Sequence, residues 1–164
     1  MASTEASGTG NMKFMLNGAI TLGTEDGANI EIHEAVGDDN IIIFGMRTPE
    51  VLSLRNQYNP GRYYDNNPKL RRAVDFITNG INGAEFPALS KALRGSDYYM
   101  AFADFEDYCA AQNKASELYK DTEKWNKMSL VNIANAGIFS ADRSIYDYAT
   151  KIWGAKPLDK PTKK

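Results

Sequence analysis

Met12, Met15, Leu16 and Ala19 recur at i, i+3, i+4 and i+7, the spacing of one buried helix face, and Asn17-Gly18 supplies a stop. Lys13 therefore falls in the first turns of that helix. Residues 19–23 (AITLG) form a short, β-branched, glycine-bounded run that predicts a strand. A helical stretch over 26–37 and a second apolar run over 40–45 follow. Two short apolar runs around a helix predict parallel strands of an α/β sheet, covered on both faces.

The character of the chain changes after Gly45. Thr48-Pro49-Glu50 and Asn67-Pro68 each place a capping residue before a proline, predicting helices over 49–57 and 68–79. The segment between them, 58–66, reads as a polar, tyrosine-rich loop. A helix is predicted over 86–93 and a last short strand over 98–102. Three long helices then open at Asp104, Asp121 and Ser140 and close near Lys120, Gly137 and Gly154. Residues 155–164 are charged and proline-broken, a flexible tail. The fold class is thus α/β, with few parallel strands and many helices. Two or three short strands among about seven helices make a narrow sheet, and a phosphate-binding loop in such a fold normally follows a strand. Only Met1 to Thr4 precede the loop here, so the chain reads as the second half of a domain, a fragment of a longer polypeptide.

Composition narrows the function classes. Hydrophobic residues make up 43% and charged residues 24% of 164 residues, enough to build a core. Nineteen Lys+Arg against twenty-one Asp+Glu leave a formal charge of -2. The cations are scattered rather than striped, which argues against nucleic acid as a partner. Cys109 is the single cysteine; in a helical stretch it reads as a small buried hydrophobe, and a reducing, cytoplasmic setting fits. The apolar runs are too short for a membrane span, and the first residues lack an apolar signal core.

The candidate chemistry lies in the opening stretch. Ser7-Gly8-Thr9-Gly10-Asn11, just ahead of an amphipathic helix, has the parts of an anion cradle: glycines admit a phosphate to the backbone, and hydroxyls and N–H groups donate to it. The same residues also suit a plain N-cap with a flexible turn. A Walker loop fails because Gly10 is separated from Lys13 and Phe14 follows the lysine; a dinucleotide fingerprint from Gly8 would need glycine at position 13. What remains is a lysine one turn past the cradle, flanked by Met12, Phe14 and Met15. An apolar pocket disfavours the ammonium form, so the amine can attack an aldehyde, and a nearby phosphate would fix an aldehyde-bearing cofactor at both ends. Pyridoxal phosphate has those two ends, although a surface lysine on a helix is the commoner event.

The run Glu5-Ala6-Ser7-Gly8-Thr9-Gly10-Asn11-Met12-Lys13-Phe14, with Leu16-Asn17-Gly18-Ala19, Gly23-Thr24 and Asp26-Gly27-Ala28-Asn29-Ile30-Glu31, resembles the glycogen and starch (α-glucan) phosphorylases. The likeness continues in order through Ile43-Phe44-Gly45-Met46-Arg47, Tyr63-Tyr64, Ala103-Asp104, Asn132-Ile133-Ala134, Phe139-Ser140, Asp142-Arg143 and Ile152-Trp153-Gly154. One departure is Ala2-Ser3-Thr4, where the family usually places a glycine shortly before the glutamate. The resemblance implies that Lys13 is the Schiff-base lysine and that Thr9 and Gly10 donate to the 5′-phosphate of pyridoxal 5'-phosphate. Glu5, Ser7 and Gly8 would contact glucosyl hydroxyls, with Glu5 and Lys13 counted among the catalytic residues. It implies a glycosyltransferase that cuts terminal glucose from an α-1,4-glucan with inorganic phosphate, giving glucose 1-phosphate. The cofactor's phosphate, with a second pKa of about 6, would assist proton transfer. The implied fold is a pair of Rossmann-like domains facing a cleft (GT-B type), of which residues 1–154 would be the end of the second. The absent N-terminal domain would be a partner, and the apolar surface it leaves would favour self-association. The alternative is a non-catalytic truncated module that binds a phosphorylated ligand or a partner protein.

Other residues take plainer readings. His33-Glu34 invites zinc, but no second histidine exists, so no metal is assigned. Tyr98, Tyr99 and Phe102 would make a sugar-stacking face, but core aromatics beside a strand fit better. Asp38-Asp39-Asn40 is a turn.

Overall fold

The structure, a computed structural model, describes residue 2 and residues 8–156. Two short parallel strands, β1 (Leu22–Gly23) and β2 (Ile42–Ile43), pair Leu22 with Ile42 and Gly23 with Ile43. Helix α2 (Ala28–Val36) crosses between them, so the predicted strand–helix–strand unit forms, with strands shorter than their apolar runs. Helix α1 (Gly10–Leu16) precedes the unit. The remainder is helical: α3 (Thr48–Leu54), α4 (Pro60–Asn66), α5 (Pro68–Thr78), α6 (Pro87–Gly95), α7 (Phe105–Lys120), α8 (Thr122–Asn135) and α9 (Ala141–Asp147). A 3-10 turn at Ala136–Phe139 ends α8, and a π turn at Tyr148–Ile152 ends α9.

Three apolar clusters hold these elements. Met15, Ile32, Val36, Ile41 and Ala136 join α1, α2, the approach to β2 and the end of α8. Met15 and Ile32 are fully buried, each worth about 1.5–3 kcal/mol of transfer free energy. Within the predicted stripe of α1 only Met15 is buried; Leu16 is exposed and Ala19 lies beyond the helix, because a seven-residue helix presents one full turn to the core. A second cluster gathers Ala2, Val51 and Met100, and a third gathers Leu70, Val74 and Phe102 under Tyr63, Tyr64 and Leu93. Asn132, also fully buried, donates from Nδ2 to Asn40 O (2.8 Å) and Met128 O (3.0 Å), tying α8 to the turn before β2.

Two segments differ from expectation. Residues 60–66 form α4 rather than part of a loop: Asn59 Oδ1 accepts the Gly61 N–H at 2.9 Å and Pro60 occupies the first turn, the same Asn-Pro start that opens α5. Its tyrosines cover the third cluster, so tertiary packing outweighs the polar composition. Residues 98–102 form a turn, not a strand. Asp97 and Met100 adopt φ of +36° and +50°, and the Asp97 carboxylate accepts the Tyr58 hydroxyl (2.5 Å) and the Phe102 N–H (2.8 Å), the latter a backbone donor that a strand ladder would otherwise use. Phe102 is a core residue as expected, whereas Tyr98 and Tyr99 are exposed. Cys109 is half-buried rather than buried. Asp104 precedes α7, as its sequence suggests, yet its carboxylate makes no cap bond there. Thr48 is the first residue of α3, and Glu50 closes that helix start by accepting the Arg47 N–H at 2.7 Å. The tail from 157 onward lies outside the described residues.

Candidate functional site

In a parallel sheet ligands gather at the carboxyl ends of the strands. At that edge an open groove of about 640 Å³ is lined by Gly8, Gly10 and Asn11, by residues 21–24, and by Asn29, Phe44, Tyr108 and Gln112. Three elements are fastened to make it. Asn11 Nδ2 donates to Asn29 Oδ1 (3.0 Å), and Asn29 Nδ2 donates to Thr24 O (3.0 Å), tying the start of α1 to the loop after β1 through one buried amide. Gly23 leaves room for that amide: a Cβ there would stand 2.6 Å from Asn29 Nδ2.

The far wall belongs to α7. Tyr108 packs edge-on against Phe44, with centroids 5.4 Å apart, and its hydroxyl accepts from Gln112 Nε2 at 3.0 Å. Asp104 anchors this wall by accepting the Met46 N–H at 2.9 Å, just beyond Phe44. Burial pushes the Asp104 carboxyl above the usual range, partly offset by that N–H. Gly45, at φ +79°, lets the carboxylate approach.

The predicted site residues divide. Gly8 and Gly10 line the groove. Thr9 stands at the cap position of α1 without a side-chain cap bond, and Lys13 N–H donates to Thr9 O (3.1 Å), so the two lie on one side of the helix. Both are exposed and neither lines the groove. Glu5 and Ser7 fall outside the described residues. Asn11 and Asn29 were present in the sequence motifs, but their pairing spans eighteen residues, which no local pattern shows.

A phosphate-bearing cofactor fits this edge in donor chemistry. The first-turn N–H groups of α1 have no described side-chain cap other than Asn11 Oδ1, which accepts the Met12 N–H (3.0 Å), and the Lys13 amine has no hydrogen-bond or ion-pair partner among the described residues. The apolar enclosure expected around that amine is not supplied by the described residues, since Phe14 is exposed beside it. Among the described residues the groove's lining carries no carboxylate and no cation; its polar groups are amides, hydroxyls and backbone. No metal-holding cluster of His, Cys, Asp or Glu occurs among the described residues, and no described helix is long and apolar enough to cross a membrane.

His33 belongs to a separate surface network. Its Nδ1 lies 3.0 Å from the Glu25 carboxylate and its Nε2 2.5 Å from Asp38, while Arg47 pairs with Glu25 at 2.6 Å. The Glu25 and Asp38 hydrogen bonds raise the His33 pKa. Burial pushes Glu25 up, but the bonds from His33 and Arg47 outweigh it and the net shift is down.

The chain is 50% identical over 162 residues to glycogen phosphorylase of Synechocystis sp., an alignment covering 96% of this chain. It is 48% identical over 161 residues to the muscle forms of glycogen phosphorylase from Rattus norvegicus and Homo sapiens, covering 95% of this chain. In each case the chain spans 19% of the relative's length. The model of the carbohydrate phosphorylases matches residues 1–155. With that match running over almost its whole length, the chain belongs to the carbohydrate phosphorylase family.

Proposed function

We propose that residues 1–154 are the C-terminal part of the second Rossmann-like domain of an α-1,4-glucan phosphorylase, a cytoplasmic glycosyltransferase of glycogen-type glucan breakdown. The observation that carries the reading is the glycine pair Gly8 and Gly10 opening onto the carboxyl edge of a parallel sheet, in a chain of this family. Pyridoxal 5'-phosphate, when bound, supplies a phosphate group that exchanges a proton near neutrality. Thr9 and Gly10 hold that phosphate through the start of α1, and Lys13 anchors the other end through its amine. Glu5, Ser7 and Gly8 bind glucosyl hydroxyls, orienting the terminal sugar. The Asn11–Asn29 bond keeps α1 at the sheet edge, so the cradle and the lysine move as one body.

The chain spans 19% of the relatives' length, so proton transfer and capture of inorganic phosphate require the remainder of the enzyme, and the isolated chain turns over little or no substrate. Titrating the chain with pyridoxal phosphate should produce an absorbance band that Lys13→Ala abolishes. Borohydride fixation followed by mass spectrometry should put the label on Lys13. A band that survives Lys13→Ala refutes the assignment of the lysine, and robust release of glucose 1-phosphate from glycogen by the chain alone refutes the division of labour.

The second reading, a non-catalytic module for a phosphorylated ligand or a partner protein, is favoured by the exposure of Lys13 beside Phe14 and Leu16. Absence of the band with the native lysine selects it.

A further inference from the structure

Helix α1 carries Lys13 on seven residues, Gly10–Leu16, and buries one side chain, Met15. Two turns of helix do not hold their shape in water unaided, so the end of α1 must be fastened by its surroundings. Locally the last carbonyls are closed: Asn17 Nδ2 donates to Lys13 O (2.7 Å), the Ala19 N–H to Phe14 O (2.9 Å) and the Gly18 N–H to Met15 O (2.9 Å). Gly18, at φ +79°, gives the backbone the turn these bonds need. A long-range bond then fastens that turn: Ser129 Oγ, on α8, donates to Gly18 O at 2.8 Å across 111 residues. The approach is close, since a Cβ on Gly18 would stand 2.4 Å from Ser129 Oγ and 3.1 Å from Ile133 Cδ1. Helix α8 is itself fixed, by the bond from buried Asn132 to Asn40 O and by a cluster that joins Ala136 to Met15.

A ligand gripped at two ends gains from the second grip only while the spacing between the grips is fixed. Here both grips lie on α1, whose start is tied by the Asn11–Asn29 bond and whose end is tied by Ser129. Without the Ser129 bond the last turn frays, and the lysine loses its fixed distance from the first turn. We propose that Ser129 is a positioning residue for Lys13: from α8 it keeps the end of α1 wound, so that the amine stays one turn from Thr9 and Gly10. Ser129 does not line the groove and acts through Gly18. This role rests on the cofactor reading of Lys13.

The test titrates the 164-residue chain with two aldehydes, pyridoxal phosphate and pyridoxal, which lacks the phosphate. Both are followed by the absorbance band formed when the Lys13 amine condenses with the aldehyde and releases water. The preference for the phosphorylated ligand, the ratio of the two affinities, should fall about fivefold in Ser129→Ala. In Ser129→Thr, which keeps the hydroxyl, it should stay within about twofold of the parent. Ser90→Ala is the structural control: that buried hydroxyl lies 2.8 Å from Thr78 Oγ1, between α5 and α6, and its loss should lower stability while leaving the preference unchanged. Gly18→Ala, which drives a Cβ into Ser129 Oγ, should reproduce the fivefold loss and decides the matter if Ser129→Ala does not fold. A preference kept within about twofold in Ser129→Ala, or in Gly18→Ala where that variant decides, overturns the proposal, as do equal losses in Ser129→Ala and Ser90→Ala. The two failures are distinct. A parent chain with no band, or with no preference for the phosphate, refutes the cofactor reading and the role of Ser129 with it, whereas a parental preference that Ser129→Ala retains refutes the role of Ser129 alone.

Discussion

Gly45→Ala tests how the far wall of the groove is held. The substitution has two costs in this structure. At φ +79° a side chain is strained by about 1–2 kcal/mol. The new Cβ would also stand 2.8 Å from Asp104 Cγ and 2.9 Å from its Oδ1. Asp104 is 6% exposed, and its carboxylate cannot swing into solvent without abandoning the Met46 N–H, which adds about 1–3 kcal/mol for a buried bond left open. The total, about 2–5 kcal/mol, is a large part of the 5–15 kcal/mol typical of a domain. Gly83→Ala is the matched control: its φ is +81°, but nothing lies within 4 Å of the added carbon, so only the backbone cost of about 1–2 kcal/mol applies. Urea unfolding followed by circular dichroism measures both. Repeating Gly45→Ala in an Asp104→Ala background removes the obstacle, and the cost should fall to that of Gly83→Ala. Equal costs in the two backgrounds, within about 0.5 kcal/mol, would refute the claim that Asp104 fastens the wall at this glycine.

Met15→Ala should cost about 2–5 kcal/mol in the same assay, because the side chain is fully buried among Ile32, Val36 and Ile41. Asn59→Ala should cost about 1 kcal/mol through loss of the α4 cap, and an unchanged midpoint would show that 60–66 has no cap-dependent helix. For His33, the folded pKa lies above the unfolded value of about 6.5, so its contribution is full below that pH and is lost as pH rises through the folded pKa. Glu25 acts oppositely, its contribution fading as pH falls through its depressed pKa. His33→Gln should therefore destabilise the chain at pH 6 more than at pH 8.5, and a pH-independent difference would contradict the bridge.

Much of the helical fold is written locally. Asn67-Pro68 opens α5, Asp121 caps α8 through the Lys124 N–H, and the two apolar runs about α2 become parallel strands, because capping and periodicity are decided by residues within a turn or two. The Asn59-Pro60 start was equally present, but its tyrosine-rich polar sequel hid it; burial of Tyr63 and Tyr64 over Leu70 and Phe102 is a property of assembly. The family likeness was also legible, since a contiguous run such as 5–14 needs no folding to be recognised. Tertiary structure alone decided that Asp104 bonds Met46 across 58 residues instead of capping α7, and that Asp97 clamps a turn instead of preceding a strand. It alone brought Tyr108 and Gln112 to the groove of Gly8 and Gly10 while leaving Lys13 outside it. The physical reason is common to all of these: an aspartate or a lysine offers the same chemistry wherever it stands, and only the packed chain determines which group it meets and how much water remains beside it.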